Sequence, residues 1–434
     1  MRILLISTNR HDRFVGSLPV RPIPLGLAIL LGALRGSRHE VHVLDLMFER
    51  VPRQAIRRGI REFSPDLIGM SVRNLDAVGG RRVPRSSGVQ SFLPEIQSWI
   101  QTCRQASHTP IVLGGPAVTL LPREAFAALE PDFLLAGDGT RTFRELAERL
   151  EGGRPWNDLP GLVYRDGTAL QVNPPGPWES PTVPPHYDAF DLKKYQAAGY
   201  SVSVLTKLWP YIRTTGPTPM SAMPAPIPRP IPELLDDLRD LRTRLGVRRV
   251  FLADSGFNVP VSEAKVLCGA LRKSGLDLEW ATGLQPGSMD DELASLMRDA
   301  GCRMALLAGP GPLQEPLRDF DWHLALFTTT GAPLTAARVR LVATAIFGRP
   351  GETRDTVERT LDTLARLAPF RVQLSAGIRI LPFTPLAEHA KTEGVIRQDA
   401  ECLYPVRYLS PDLKGWLPRR LRTAARAHPS WHVV

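Results

Sequence analysis

PIVLGGPAVTLLPREAF, residues 110 to 126, sets a strand, a glycine turn and a helix start in one short stretch. Ile111 to Leu113 reads as a strand, Gly114 and Gly115 end it, and a helix follows over Pro122 to Leu129. The same order recurs outward in both directions. Upstream, strands at Ile3 to Ser7, Val41 to Asp45 and Leu67 to Ser71 alternate with helices near Leu25 to Arg35, Arg53 to Phe63 and Pro94 to Gln105. Downstream, Phe133 to Ala136 is a strand and Arg141 to Leu150 a helix. This alternation predicts an α/β fold with a doubly wound parallel sheet over residues 1–150.

In such sheets ligands sit beyond the carboxyl ends of the strands. The residues at those ends are Thr8 and Asn9; Asp45; Ser71, Arg73 and Asn74; Gly114 and Gly115; and Gly137, Asp138 and Gly139. Glycine lets backbone approach a large ligand and supplies positive φ in tight turns, so the two glycine sites together suggest a pocket floor. Each alone is equally an ordinary strand-to-helix turn.

The chain has 434 residues, 43% hydrophobic and 23% charged, which fits two soluble domains and a tail. No apolar run approaches the roughly 18 residues of a membrane span, and the start MRILLIST lacks a signal-peptide cleavage site, so a cytoplasmic protein without membrane contact is expected. The cysteines Cys103, Cys268, Cys302 and Cys402 are far apart and read as buried small apolar side chains. The net charge of +10 comes from arginine spread along the chain, so no nucleic-acid partner is inferred. The densest basic patch, Pro418 to His428, has the pattern of a helix with a solvated face.

LPGLVYRDGTALQVNPP predicts a hairpin turning at Arg165, Asp166 and Gly167, and with the proline-rich run after it forms a connecting segment over 151–198. From Ser201 to Ile396 strand and helix alternate again, through VSVLT, VRRVFLAD, LEWATG, RMALLAG, VRLVATAIFG and VQLSAGIRILP, predicting a partial barrel over 199–396 and a tail over 397–434.

PIPLGLAILLGALRGSRHEVHVLDL, PDLIGMSVRNLD, PIVLGGPAVTLLPREAF and FLLAGDGTRTFRELAERLEGG resemble the B12-binding domain of cobalamin-dependent radical S-adenosylmethionine (SAM) enzymes. FLADSGFN, the turn from Gly348 to Thr353 and GIRILPFTPLAEHAKTEG extend the resemblance through the second half. It implies a Rossmann-like, flavodoxin-like domain followed by a degenerate radical SAM-like partial TIM barrel, and cobalamin at the first sheet's carboxyl edge. Ser71, Arg73, Asn74, Gly114, Gly115, Gly137 and Gly139 are then cofactor contacts, with Thr8, Asn9 and Asp138 beside them. No DxHxxG motif is present, and His11 is the one histidine in the corresponding loop.

The stretch Thr206 to Pro219, TKLWPYIRTTGPTP, follows the frame of the family's cluster loop, but Trp209, Arg213 and Gly216 stand at its three cysteine positions. None of these ligates iron as a thiolate does, so no iron-sulfur cluster is expected and no metal ligands are assigned. The family's Gly-x-Glu-Ser turn corresponds to LLAGPGPLQ, with Pro310 in place of the acid. Asp254 and Gln285 keep polar groups where the family grips SAM, which makes SAM a second candidate cofactor. Trp209, Tyr211, Arg213 and Asp254 are the candidate catalytic residues; Trp209 and Tyr211 equally suit filling a vanished cluster's space. Asn258, Glu279, Glu352, Arg379 and Thr384 are further polar candidates for the same cavity.

Together these features imply a cobalamin-dependent enzyme that transfers a methyl group, without radicals, from methylcobalamin to a small biosynthetic intermediate, in secondary metabolism by the family's habits. A cobalamin-assisted rearrangement or cyclisation, and a non-catalytic carrier or regulatory partner, remain as alternatives.

Overall fold

The computed structural model describes residues 1–11, 21–78, 89–177, 183–197, 199–208, 226–254, 256–309 and 320–434. Trp209, Tyr211, Arg213 and Pro310 lie outside the described residues. The first half alternates as its sequence predicts: β1 (Arg2–Ser7), α1 (Leu25–Leu34), β2 (Glu40–Asp45), α2 (Pro52–Phe63) and β3 (Leu67–Ser71), then a small ladder of β4 (Asp76–Val78) and β5 (Val89–Ser91). It continues with α3 (Leu93–Ala106), β6 (Ile111–Gly114), α4 (Pro116–Thr119), α5 (Pro122–Leu129), β7 (Phe133–Leu135) and α6 (Gly139–Glu151). β8 (Leu162–Asp166) and β9 (Ala169–Val172) complete a seven-stranded sheet of order β2-β1-β3-β6-β7-β8-β9.

The five strands from β2 to β7 are parallel, in the flavodoxin-like order whose switch point lies between β1 and β3. The hairpin β8–β9 pairs antiparallel with β7, so this part of the predicted connecting segment extends the first sheet. Trp156 fixes it there, edge-on to both Phe133 and Tyr164 with ring centroids 4.9 and 5.1 Å away.

Helix faces follow residue spacing. α2 buries Ala55, Ile56 and Ile60 and exposes Arg53, Arg57, Arg58, Arg61 and Glu62 on the opposite side. α1 (LGLAILLGAL) has no polar face because it is covered on two sides: by the first sheet, and by the strap over residues 183–197. A side chain at Gly32 would lie 2.2 Å from the Pro184 carbonyl oxygen, so the strap needs glycine there. The strap is pinned by the His186 amide donating to Ala28 O at 2.7 Å and by the Tyr195 hydroxyl, from α7 (Leu192–Gln196), donating to Asp45 Oδ2.

The second half builds one parallel sheet in near-sequential order. Its strands are β10 (Val202–Val204), β13 (Arg249–Leu252), β14 (Glu279–Leu284), β15 (Cys302–Ala308), β16 (Arg340–Phe347), β17 (Arg371–Ala376) and β20 (Trp431–Val433). Between β10 and β13 lie a two-stranded stem, β11 (Lys207–Leu208) and β12 (Ile227–Pro228), and α8 (Ile231–Thr243). The outer layer is α9 (Val261–Ser274), α10 (Asp291–Asp299), α11 (Phe320–Ala336) and α12 (Arg354–Leu367). After β17 come β18 (Ile378–Arg379), α13 (Pro385–Thr392), β19 (Arg407–Tyr408) and α14 (Leu417–Ala427).

Two features were invisible as tertiary elements in the sequence. The tail does not trail away: β20 pairs with β17 as the seventh barrel strand. Ile378, Ile380, Leu386, Ala390, Ile396 and Tyr408 share a core with α2, α3 and α5 of the first half. A second core runs without a break from the first sheet through the strap into the barrel's outer layer.

Candidate functional site

The carboxyl ends of both sheets supply the candidate residues. In the first half, Thr8 and Asn9 close β1 and are buried, at 2% and 3% exposure. The Thr8 hydroxyl donates to Ser71 O at 2.7 Å and so ties β1 to β3. Asn9 Nδ2 is buried and has no acceptor among the described residues. A buried amide donor with nothing to bond is costly unless a ligand supplies the acceptor.

The glycines divide. A Cβ on Gly114 would meet nothing nearer than Leu135 Cβ at 4.0 Å, so this position is open. A Cβ on Gly115 would fall 2.5 Å from Val72 O, and Gly115 has φ +107°, so this glycine serves the backbone. Gly137, at φ +109°, donates its amide to Thr119 Oγ1 at 3.2 Å. Gly139 starts α6 against Leu135, and Asp138 caps α6 by accepting from the Thr140 amide at 3.0 Å. Arg73 and Asn74 are exposed just beyond β3. Asn9 and Gly114 therefore fit a large cofactor at this edge, with Ser71, Arg73 and Asn74 beside them. Gly115 and Asp138 each also serve the fold, the one in a turn of positive φ and the other as a helix cap.

In the barrel, Asp254 is 4% exposed and its carboxylate is already committed. Oδ1 accepts from the Thr206 amide at 3.1 Å and the Lys207 amide at 3.4 Å, while Oδ2 accepts from the Thr206 hydroxyl. Lys207 is equally buried, and its Nζ donates to Val259 O at 2.7 Å and Phe257 O at 3.1 Å. Across the stem, Arg229 donates through its amide to Thr206 O and through Nη2 to Asp237 at 2.7 Å. Both strands of the stem are thus held by buried charged side chains. Asp254 is an anchor for Thr206 and Lys207. Burial raises its carboxyl pKa and lowers that of Lys207.

Gln285, half-buried, ends β14 with its side chain against Gly256. Its main chain is held from both sides by Asn258, which accepts from the Gln285 amide at 2.9 Å and donates to Gln285 O at 2.8 Å. The other polar candidates separate by position. Glu279 is exposed at the amino end of β14, away from the mouth. Glu352 folds back on its own turn, accepting from the amides of Gly348 and Arg349. Thr384 caps α13, and Arg379 reaches Asp76 of the first half at 2.9 Å. The four cysteines are buried, and burial pushes the Cys268 thiol up to about 12 and the Cys402 thiol to about 11, surroundings that disfavour a ligating thiolate.

The chain thus joins a flavodoxin-like sheet, with an open glycine and an amide unpartnered among the described residues at its carboxyl edge, to a partial parallel barrel. Residues 14–147 match the B12-binding domain family. The chain is similar to tryptophan 2-C-methyltransferase of Streptomyces laurentii, 25% identical over 442 residues, covering 84% of this chain and 71% of that one. It is also similar to an uncharacterized methyltransferase of Pyrococcus horikoshii, 23% identical over 380 residues, covering 85% and 78%. The fold superimposes on TsrM of Kitasatospora setae, a radical SAM methyltransferase solved with cobalamin and a 4Fe-4S cluster bound. That match has a TM-score of 0.79 at 20% identity and covers 100% of this chain and 93% of the other.

Proposed function

We propose that this protein is a cobalamin-dependent methyltransferase that works without an iron-sulfur cluster. The observation that carries the proposal is a mismatch between a kept frame and a lost donor set. Thr206 and Lys207 remain, and their stem is anchored by Asp254 and by Arg229 with Asp237. Yet no residue from Thr206 to Pro219 is a cysteine. Buried hydrogen bonds organise the stem that leads into this stretch, so its anchoring needs no metal.

Cobalamin, when bound, supplies a nucleophilic cobalt able to accept a methyl group from a donor and hand it to a nucleophile. Asn9, Ser71, Arg73, Asn74 and Gly114 would hold it along the first sheet. By chain position Trp209, Tyr211 and Arg213 follow directly on the anchored stem, and they are the residues proposed to contact substrate. Gln285, with SAM as methyl donor, would act at the barrel mouth. Holding a small substrate between the two halves and excluding water is the protein's share of the rate enhancement.

The test is purification in air with hydroxocobalamin, followed by an absorption spectrum and iron analysis. A corrinoid spectrum at near one equivalent without iron is expected; stoichiometric iron with a sulfide-to-iron band would overturn the cluster-free reading. Gly114→Val should lose the corrinoid while keeping the wild-type circular dichroism spectrum. Full retention would remove Gly114 from the site.

A further inference from the structure

Two short strands at the barrel mouth set a pair of arginines face to face. β18 and β19 pair antiparallel with Arg379 directly opposite Arg407, an arrangement that like charges oppose. Arg379 is neutralised: its Nε donates to Asp76 Oδ2 at 2.9 Å, and its other nitrogens donate to the carbonyls of Ile380, Val406 and Cys402. Among the described residues Arg407 donates to neutral acceptors alone, Ala376 O at 2.8 Å and Ser375 Oγ at 3.2 Å. Its Nε is buried and has no acceptor among the described residues. Asp76 is the acid whose field reaches Arg407, and it is already bonded to Arg379. Among the described residues, two guanidiniums and one carboxylate leave one positive charge uncompensated, and arginine does not shed it.

The location gives this charge a purpose. Ser375 and Ala376 end β17, so the Arg407 guanidinium sits at the carboxyl face of the barrel, beside the junction with the first half. Ser375 lies on the same strand face as Gln373, whose Oε1 is 3.3 Å from Thr344 Oγ1 on the neighbouring strand. Gly377 turns the chain at φ +82°, a conformation that favours glycine, and brings the turn into contact with the Arg407 stem, a Cβ there lying 3.4 Å from Arg407 Cβ and 3.7 Å from its Cδ. A partly buried guanidinium held by neutral groups, with a nitrogen to spare, is a receptor for a charged oxygen pair.

We infer that Arg407, steadied by Ser375, is an anion-recognition site that takes the carboxylate or phosphoryl group of the small-molecule substrate. The identity of that molecule as a methyl acceptor rests on the function proposed above; the anion site itself does not require cobalamin. The same oxyanion chemistry is offered by the carboxylate of SAM, and the test separates the two sources.

Inorganic phosphate is titrated into the cobalamin-free protein at low ionic strength, with binding followed by calorimetry and by the melting temperature. Wild type should show a saturable rise in melting temperature. Arg407→Gln should bind phosphate at least tenfold more weakly, Arg407→Lys should recover part of the loss, and hydroxocobalamin retention should be unchanged in both. Ser375→Ala, which keeps the charge, should weaken phosphate several-fold and guards against a folding defect in the arginine variants. An undiminished phosphate response in Arg407→Gln, or a melting-temperature drop equal at every phosphate concentration, would overturn the site. Displacement of phosphate by SAM would assign the guanidinium to the methyl donor and overturn the substrate assignment; no displacement supports it. Loss of corrinoid binding with the phosphate response intact would sink the methyl-transfer reading alone.

Discussion

Asp254 shows how one buried carboxyl links stability to pH. Burial raises its pKa, against the hydrogen bonds from Thr206 and the charge of Lys207, which pull it down. A raised folded-state value means the folded chain keeps a proton that the unfolded chain has released. Its contribution to stability is therefore fully present below the ordinary aspartate value and is lost as pH rises toward the folded-state value. Asp254→Asn does not titrate. The stability of wild type relative to Asp254→Asn should fall as pH rises from about 4, read by urea denaturation at a series of pH values; a difference that grows would contradict this. Gly115 makes a separate residue-scale prediction. Gly115→Ala forces a methyl toward Val72 O at an unfavourable φ. It should lower stability by about 1–3 kcal/mol in thermal denaturation, where Gly114→Val does not.

At the scale of elements, β20 carries the clearest expectation. Trp431 is 6% exposed and stacks on His428 with centroids 4.2 Å apart, and β20 covers the edge of β17 from Val372 to Leu374. Removing residues 429–434 should cost about 3–5 kcal/mol, the range for losing a buried tryptophan, and leave an open strand edge. Thermal denaturation and light scattering would report both the loss and the resulting self-association. The helix before it was legible from the spacing of Leu417, Leu421 and Ala424, which are all buried. The strand was not, because three residues are too few to show alternation. The hairpin β8–β9 was legible as a hairpin for the reason β20 was not, since its turn residues announce it. Only its pairing with β7 made it part of the sheet.

On the scale of the whole molecule, the two halves share a core, and the charge cluster at their junction joins them as well. Asp76 of the first half bonds Arg379 of the second, which stands directly opposite Arg407. Asp76→Ala should destabilise the protein by about 3–5 kcal/mol, because it strands two partly buried guanidiniums. Phosphate should restore part of the loss by occupying the vacated position, which melting curves with and without phosphate would show. If phosphate gave no recovery beyond that of wild type, the junction would not be governed by charge.

The sequence by itself determined the order and type of the main elements of the first half, since strand and helix periodicities are local and each strand expected there falls on an observed one. It also determined that no cysteine stands from Thr206 to Pro219, which is a matter of residue identity. Tertiary structure decided which polar side chains remain free to act. Asp138, Glu352 and Thr384 are taken up by amides of their own turns and helix starts, whereas Asp254 is taken up by the amides of Thr206 and Lys207, which only the folded chain brings within reach. Arg407 gave no local signal, because its importance lies in facing Arg379 and in the single carboxylate supplied from more than three hundred residues away. Long-range electrostatic balance is a property of the assembled fold, and no window of sequence contains it.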